Sequence, residues 1–167
     1  MELHAKPDHY LTQVAEVADH RIYVKYITGT MLVAEHWRDA TEAEKAAHDA
    51  KTELLEAIKN YDASSEVNIF FMAGAPMWLD KATRAGLMLR FQAEIAAGLT
   101  NTALWYGGQQ YQLQLTAAMQ MLYALELYAS QCYDATHAHL ASVEKLQTVD
   151  DVKAYDYTVG YPPKLQF

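Results

Sequence analysis

The stretch Thr102-Ala103-Leu104-Trp105-Tyr106-Gly107-Gly108-Gln109-Gln110-Tyr111-Gln112-Leu113-Gln114-Leu115-Thr116 decides how this chain folds. Two strand-forming runs, Leu104–Tyr106 and Tyr111–Leu115, flank a pair of glycines, and paired glycines accept the positive φ of a tight hairpin turn. Thr116 then opens a helix reaching about Leu146. Along it Met119, Leu122, Leu125, Tyr128, Ala129, Cys132 and Tyr133 spread apolar side chains over much of the circumference, which predicts a helix running through the core. Unbroken, it spans roughly 45 Å.

The same plan occurs once upstream. Asn68 to Gly98 reads as strands around Ile69–Ala73 and Met77–Leu79 joined by a turn at Gly74-Ala75-Pro76. A helix follows, capped by Asp80, striped with Leu87, Met88, Phe91 and Ile95, and ended by Gly98. Gly86 within it points to a close backbone approach. A hairpin and one helix cannot bury an apolar face alone, so the two copies are expected to seal against each other in one core. Trp78 and Trp105 then fall on related strands.

Outside this duplication the chain changes character. Leu11–Val17, Arg21–Ile27 and Met31–Ala34 read as strands of a meander, with turns at Ala18-Asp19-His20 and Gly29-Thr30 and an end near Trp37. Thr41-Glu42-Ala43-Glu44 is a capping-box pattern that starts a helix to Tyr61. Its Ala43, Ala47, Ala50, Leu54, Ala57 and Tyr61 alternate steps of four and three, a short self-association seam or a face lying on its own domain. Lys45, Lys51, Glu53, Glu56 and Lys59 form its solvated face. Beyond Gln147, one helical turn at Thr148–Asp151 precedes Tyr155, Tyr157, Tyr161, Pro162, Pro163 and Phe167, an extended aromatic tail suited to docking on a surface, its own or a partner's. The expected class is α+β in four segments: a β-meander over 1–40, a connecting helix over 41–61, the duplicated hairpin–helix domain over 62–146, and the tail over 147–167.

Composition excludes several function classes. A length of 167 residues with 51% hydrophobic and 20% charged residues is that of a globular domain. A formal charge of -8, without a basic cluster, argues against a nucleic-acid backbone as partner. The longest apolar run, Ala117–Ala129, is interrupted by Gln120 and Glu126 and is too short for membrane insertion. Met1–Tyr10 lacks the pattern of a secretory signal, and a single cysteine permits no internal disulfide.

The chemistry-bearing residues give no catalytic constellation. Glu16 with His20, Glu44 with His48, and Asp134 with His137 are the nearest approaches to a carboxylate–histidine metal motif, and none has partners in register. His137 and His139 diverge on a helix. Cys132 sits on the apolar face and reads as a core residue. Hydrolase, phosphate-loop and dinucleotide fingerprints are missing. No catalytic, metal or cofactor residue is assigned. Tyr155, Tyr157, Tyr161 and Phe167 are the candidates for docking a partner. Trp78, Trp105 and Tyr106 are the candidates for a ligand or glycan cleft, with core packing as the simpler reading.

Val67-Asn68, Met77-Trp78-Leu79-Asp80-Lys81-Ala82-Thr83-Arg84, Thr102-Ala103-Leu104-Trp105 and Met121–Ala129 together resemble a domain of unknown function carried by tailed bacteriophages and prophages, in the form found in phages of gut Bacteroidales-type hosts. Tyr155-Asp156-Tyr157-Thr158 and Gly160-Tyr161-Pro162 also look like that group. The leading Trp37-Arg38 and Thr41–Glu44 are similar to segments of tail-fibre assembly proteins. The resemblance covers about residues 60–161, rests on packing and turn motifs, and brings no catalytic residues. It implies a non-enzymatic tail-associated structural or assembly protein whose partners are other tail or fibre proteins, or copies of itself. Its setting would be the host cytoplasm during assembly or the virion tail. A transient chaperone and a glycan-binding module are the rival expectations.

Overall fold

The computed structural model describes the backbone of residues 13–16, 22–28 and 34–38 and all of residues 39–167. It is an α+β protein. Strands β1 (Gln13–Glu16), β2 (Ile22–Thr28) and β3 (Ala34–Asp39) form an antiparallel meander in chain order. Each of Tyr23–Thr28 takes a partner on β3, so β2 sets the length of its neighbour. The described third strand runs Ala34–Asp39, through the expected end near Trp37, while Met31, Leu32 and Val33 lie outside the described residues. The turns assigned to Ala18-Asp19-His20 and Gly29-Thr30 lie outside the described residues, as does His20.

Helix α1 (Glu42–Ala63) starts at the capping box. The Thr41 N–H donates to the Glu44 carboxylate at 2.8 Å, and the Glu44 N–H donates to Thr41 Oγ1 at 3.3 Å. Of the alanine-based seam, Ala47 is buried, Ala50, Leu54, Ala57 and Tyr61 are half-buried, and Ala43 is exposed. The seam omitted Ile58, which is fully buried, and a large aliphatic side chain gains far more from burial than alanine does.

The first hairpin pairs β4 (Phe70–Met72) with β5 (Ala75–Met77). Its turn is Ala73-Gly74, at φ 49° and 81°, which corrects the expected Gly74-Ala75-Pro76 turn. Pro76 lies instead in β5, opposite Phe71. A proline without an N–H suits an edge strand at a position facing away from its neighbour, and β5 is that edge. Trp78 follows β5 and is outside the strand. Helix α2 (Lys81–Ala96) begins at Asp80, whose carboxylate accepts from the Thr83 N–H at 2.7 Å. It closes with Gly98 N–H to Ile95 O and Leu99 N–H to Glu94 O, the paired bonds of a left-handed helix end. The second hairpin is longer: β6 (Asn101–Tyr106) and β7 (Gln109–Gln114) pair through six residues each around Gly107-Gly108. Helix α3 (Leu115–Val143) follows with no intervening residue.

The two hairpins and two helices share one core. Phe70, Met72, Met77 and Leu79 from the first copy pack with Phe91 of α2, Leu104 of β6, and Leu115, Met119, Leu122 and Leu125 of α3. Fully burying each large side chain contributes about 1.5–3 kcal/mol. Two arginines of α2 tie the parts together. Arg84, 4% exposed, donates to Leu79 O at 2.6 Å and through Nε and Nη2 to the Glu126 carboxylate of α3 at 3.0 and 3.3 Å, while its guanidinium lies 5.4 Å from the Trp78 ring centre. Arg90 reaches Thr102 Oγ1 and Ala103 O on β6, both at 2.6 Å. Two expected core residues are exposed, Ile95 on α2 and Tyr133 on α3. Ile95 lies in α2's last turn, beyond the fully buried Phe91. α3 is longer than the core it serves and keeps one face in solvent.

The closing residues complete the first hairpin. Phe71 N–H donates to Leu165 O at 2.9 Å, Phe167 N–H to Phe71 O at 2.8 Å, and Ala73 N–H to Phe167 O at 2.8 Å. Gln166 stands opposite Phe71 in a parallel bridge, so β4 is flanked on both sides.

Two compact units divide the chain. One takes residues up to Glu56 with Ala141–Tyr155; the other takes Ala57–Leu140 with Asp156–Phe167. The expected consecutive segments followed composition, whereas packing joins segments distant in sequence. In the first unit, Lys51 Nζ donates to Glu144 O at 3.2 Å, and Val143 and Val152 are buried. Residues 149–154 there form helix α4 (Val149–Ala154), started by Thr148, so the extended tail proper begins after it.

Candidate partner-docking surface

The aromatic tail residues fall into two groups. Tyr155 ends α4 in the first unit and is half-buried. Tyr157, Tyr161 and Phe167 belong to the second unit and lie against it. The Tyr61 ring, near the end of α1, meets Tyr157 at 5.6 Å and Tyr161 at 5.4 Å, both edge-on. Phe167 meets the buried Phe70 ring at 5.8 Å but stays 43% exposed.

Tyr161 is the deepest anchor. Its hydroxyl shares a 2.8 Å hydrogen bond with Thr136 Oγ1, which in turn donates to Asp62 Oδ1 at 2.7 Å. His139 stacks on the Tyr161 ring at 5.7 Å, and its Nε2 lies 2.8 Å from Val159 O. Asp156 accepts from both the backbone N–H and the hydroxyl of Thr158, and these bonds hold its carboxyl below the usual carboxylate range. Beside this network, the Tyr128 hydroxyl donates to Val67 O at 2.8 Å. Burial pushes the Tyr128 and Tyr161 hydroxyls and the Cys132 thiol above their ordinary values. A raised thiol pKa removes the thiolate that a nucleophile needs, so Cys132 acts as a core residue.

The aromatics assigned to a cleft do not share one face. Trp78 is half-buried between Tyr128, at 6.4 Å edge-on, and the Arg84 guanidinium. The backbone N–H of Trp78 donates to the Tyr106 hydroxyl at 3.2 Å. Trp105 is 64% exposed, on the opposite side of β6 from Leu104 and Tyr106. Trp78 with Tyr106 is therefore a packing pair, and Trp105 stands apart as a surface group.

Of the exposed apolar groups that sequence reasoning passed over, Leu99 and Val159 lie outside the helices and three lie on them. Tyr123 and Leu127, four residues apart on α3, are exposed, as is Leu89 on α2. The signal was present, since both α3 residues sit off the stripe of Leu122, Leu125 and Cys132. A small open hollow of about 290 Å³ in the first unit is lined by Ala43, Glu44, Gln147, Thr148, Val149 and Asp150. Its Glu44 carboxylate is already engaged by Thr41. Among the described residues no group of three or more His, Cys, Asp or Glu side chains is placed to hold a metal ion, and no helix is long and apolar enough to cross a membrane.

No family model, no curated protein and no solved structure matches this chain. The likeness to a phage domain therefore rests only on the residues quoted above.

Proposed function

We infer that the protein is a non-enzymatic structural or assembly protein of a bacteriophage tail, acting through contacts with other proteins. The observation that carries this reading is the placement of its large apolar side chains. Trp105, Tyr123 and Leu127 are held in solvent at 64%, 54% and 61% exposure by a strand and a helix whose opposite faces are sealed into a core. Rigid backbone beneath exposed aromatic and aliphatic groups suits a contact surface, because little side-chain ordering is needed when a partner arrives. The strongly engaged polar groups serve the fold: Arg84 and Arg90 join elements, Asp80 caps a helix, and Thr136 anchors Tyr161.

A tagged chain expressed during infection should retain tail or fibre proteins in a pulldown, and a Trp105→Ser, Leu127→Ser double variant should lose them while keeping its melting temperature. Equal retention by the variant contradicts the surface assignment. Mass spectrometry of purified particles separates a resident component, which is found there, from a transient chaperone, which is not. Trp105 also favours one second reading, a glycan-binding module. Quenching or a shift of Trp fluorescence in a glycan screen, abolished by Trp105→Phe, would select it.

A further inference from the structure

A solvent-facing helix surface ordinarily carries charged side chains. Helix α1 follows that rule, with Glu53, Glu56 and Lys59 exposed. Helix α3 does not. From Thr116 to Gln131 every exposed residue on it is uncharged, in a chain whose formal charge is -8. Tyr123 and Leu127 stand at the middle of this face, 54% and 61% exposed. Two large apolar groups on a face without charge are ones that association would stabilise by burial.

The spacing is that of a helix-pairing seam. Thr116, Gln120, Tyr123, Leu127, Ser130 and Asp134 are all exposed and follow one another in alternate steps of four and three. They lie within one compact unit and span roughly 27 Å of the helix axis. The order is self-complementary about the level of Leu125 when a second α3 runs antiparallel. Tyr123 then meets Leu127 of the other copy, Gln120 meets Ser130, and Thr116 meets Asp134, each twice. A parallel partner would set Asp134 against Asp134, two like charges in contact. The antiparallel one brings Asp134 to the first turn of the other α3. That turn holds no acidic residue of its own, so its positive dipole end receives the carboxylate favourably.

We propose that two copies of this chain associate through an antiparallel α3–α3 contact whose two-fold axis passes at the level of Leu125. A second copy is the fitting occupant because a two-fold interface presents one patch twice, and this seam meets itself apolar to apolar and polar to polar. The proposal rests on reading Tyr123 and Leu127 as a contact surface and names the partner of that part. Trp105, on β6, is left for other proteins.

Sedimentation of the purified full-length chain over a concentration series should show monomer passing to dimer. Leu127→Glu, at an exposed helical position, should keep the melting temperature and weaken association at least about tenfold, because a carboxylate enters each half of the contact. Monomer at every concentration overturns the proposal, as does a Leu127→Glu dimer of unchanged affinity. Cysteine trapping reads the direction of pairing independently of that variant. Gln120→Cys and Ser130→Cys chains, mixed and oxidised, should form a disulfide with each other. Neither should link to itself, since like positions lie roughly 15 Å apart along an antiparallel pair. Cys132 is buried and takes no part. Self-linking of the Gln120→Cys chain, or no mixed disulfide, overturns the proposal. Both measurements use the chain alone, so a failed dimer and a failed pulldown of phage proteins are separate results.

Discussion

The two hairpins were read from the sequence as copies, yet they hold themselves together differently. β6–β7 has six paired residues per strand, a turn made of two glycines, and a helix that continues directly from its second strand. β4–β5 has three paired residues, an alanine forced to φ 49° in its turn, and a third strand borrowed from residues more than ninety positions later. The longer hairpin is stabilised locally. The shorter one is stabilised by what covers it: the core residues beneath Phe70, the strap Leu165–Phe167 along β4, and the Tyr161 anchor that brings the strap there. Equivalent pattern therefore does not mean equivalent mechanics, and the two hairpins should respond differently to the same perturbation.

The largest difference should come from the core. Phe70 is fully buried at the meeting point of hairpin, strap and helix, so Phe70→Ala should cost about 3–5 kcal/mol in urea unfolding. Leu113→Ala on β7, at a half-buried position, should cost clearly less; equal losses would erase the distinction between the hairpins.

Next comes the buried hydroxyl under the strap. Tyr128→Phe leaves Val67 O without its donor and should cost about 1–3 kcal/mol. The same region makes stability sensitive to base. Burial first of all raises the pKa of Tyr128, Tyr161 and Cys132 above ordinary values of 10.0, 10.0 and 9.0. The unfolded chain then loses protons first as pH rises. Their contribution is intact below about pH 9 and is lost as pH climbs through the raised values. Melting temperature followed from neutral pH upward should fall in that window, and Tyr128→Phe should flatten the fall. A thiol reagent should leave Cys132 unmodified until the chain unfolds.

The smallest effects lie in the turns. Ala73→Gly relieves a left-handed alanine and should stabilise by roughly 0.5–1 kcal/mol, whereas Gly107→Ala, at φ 58°, should destabilise by roughly 1–2 kcal/mol. Opposite signs at corresponding turns, measured by thermal melts, sharpen the contrast between the hairpins.

Much of this was legible because the signals are local. Gly107-Gly108, the Asp80 cap, the Gly98 helix end and the Thr41–Glu44 box each depend on neighbours within a few residues, and each stands where the sequence places it. The first turn was misplaced because Pro76 is a strong turn signal, while an edge strand also tolerates it. The strap could not be read. A parallel pairing of Gln166 with Phe71 leaves no periodic trace, and Pro162-Pro163 suggested only an extended segment. Arg84 received no role from the sequence, because its burial depends on distant partners: Glu126 and Leu79 O make a buried guanidinium tolerable. Of the candidate site residues, Tyr157 and Tyr161 lie against their own unit, while the exposed Tyr123 and Leu127 sit off the apolar stripe that the sequence reading followed along α3.

Residue-resolved amide hydrogen exchange on the full chain examines the closure of the first hairpin most directly. The Phe71, Ala73 and Phe167 amides should be protected as a group, and Leu165→Ala should release all three while the β6–β7 amides remain slow. Random-coil exchange at Phe71 and Ala73 in the natural chain, with β6–β7 protected, would contradict a first hairpin completed by its strap.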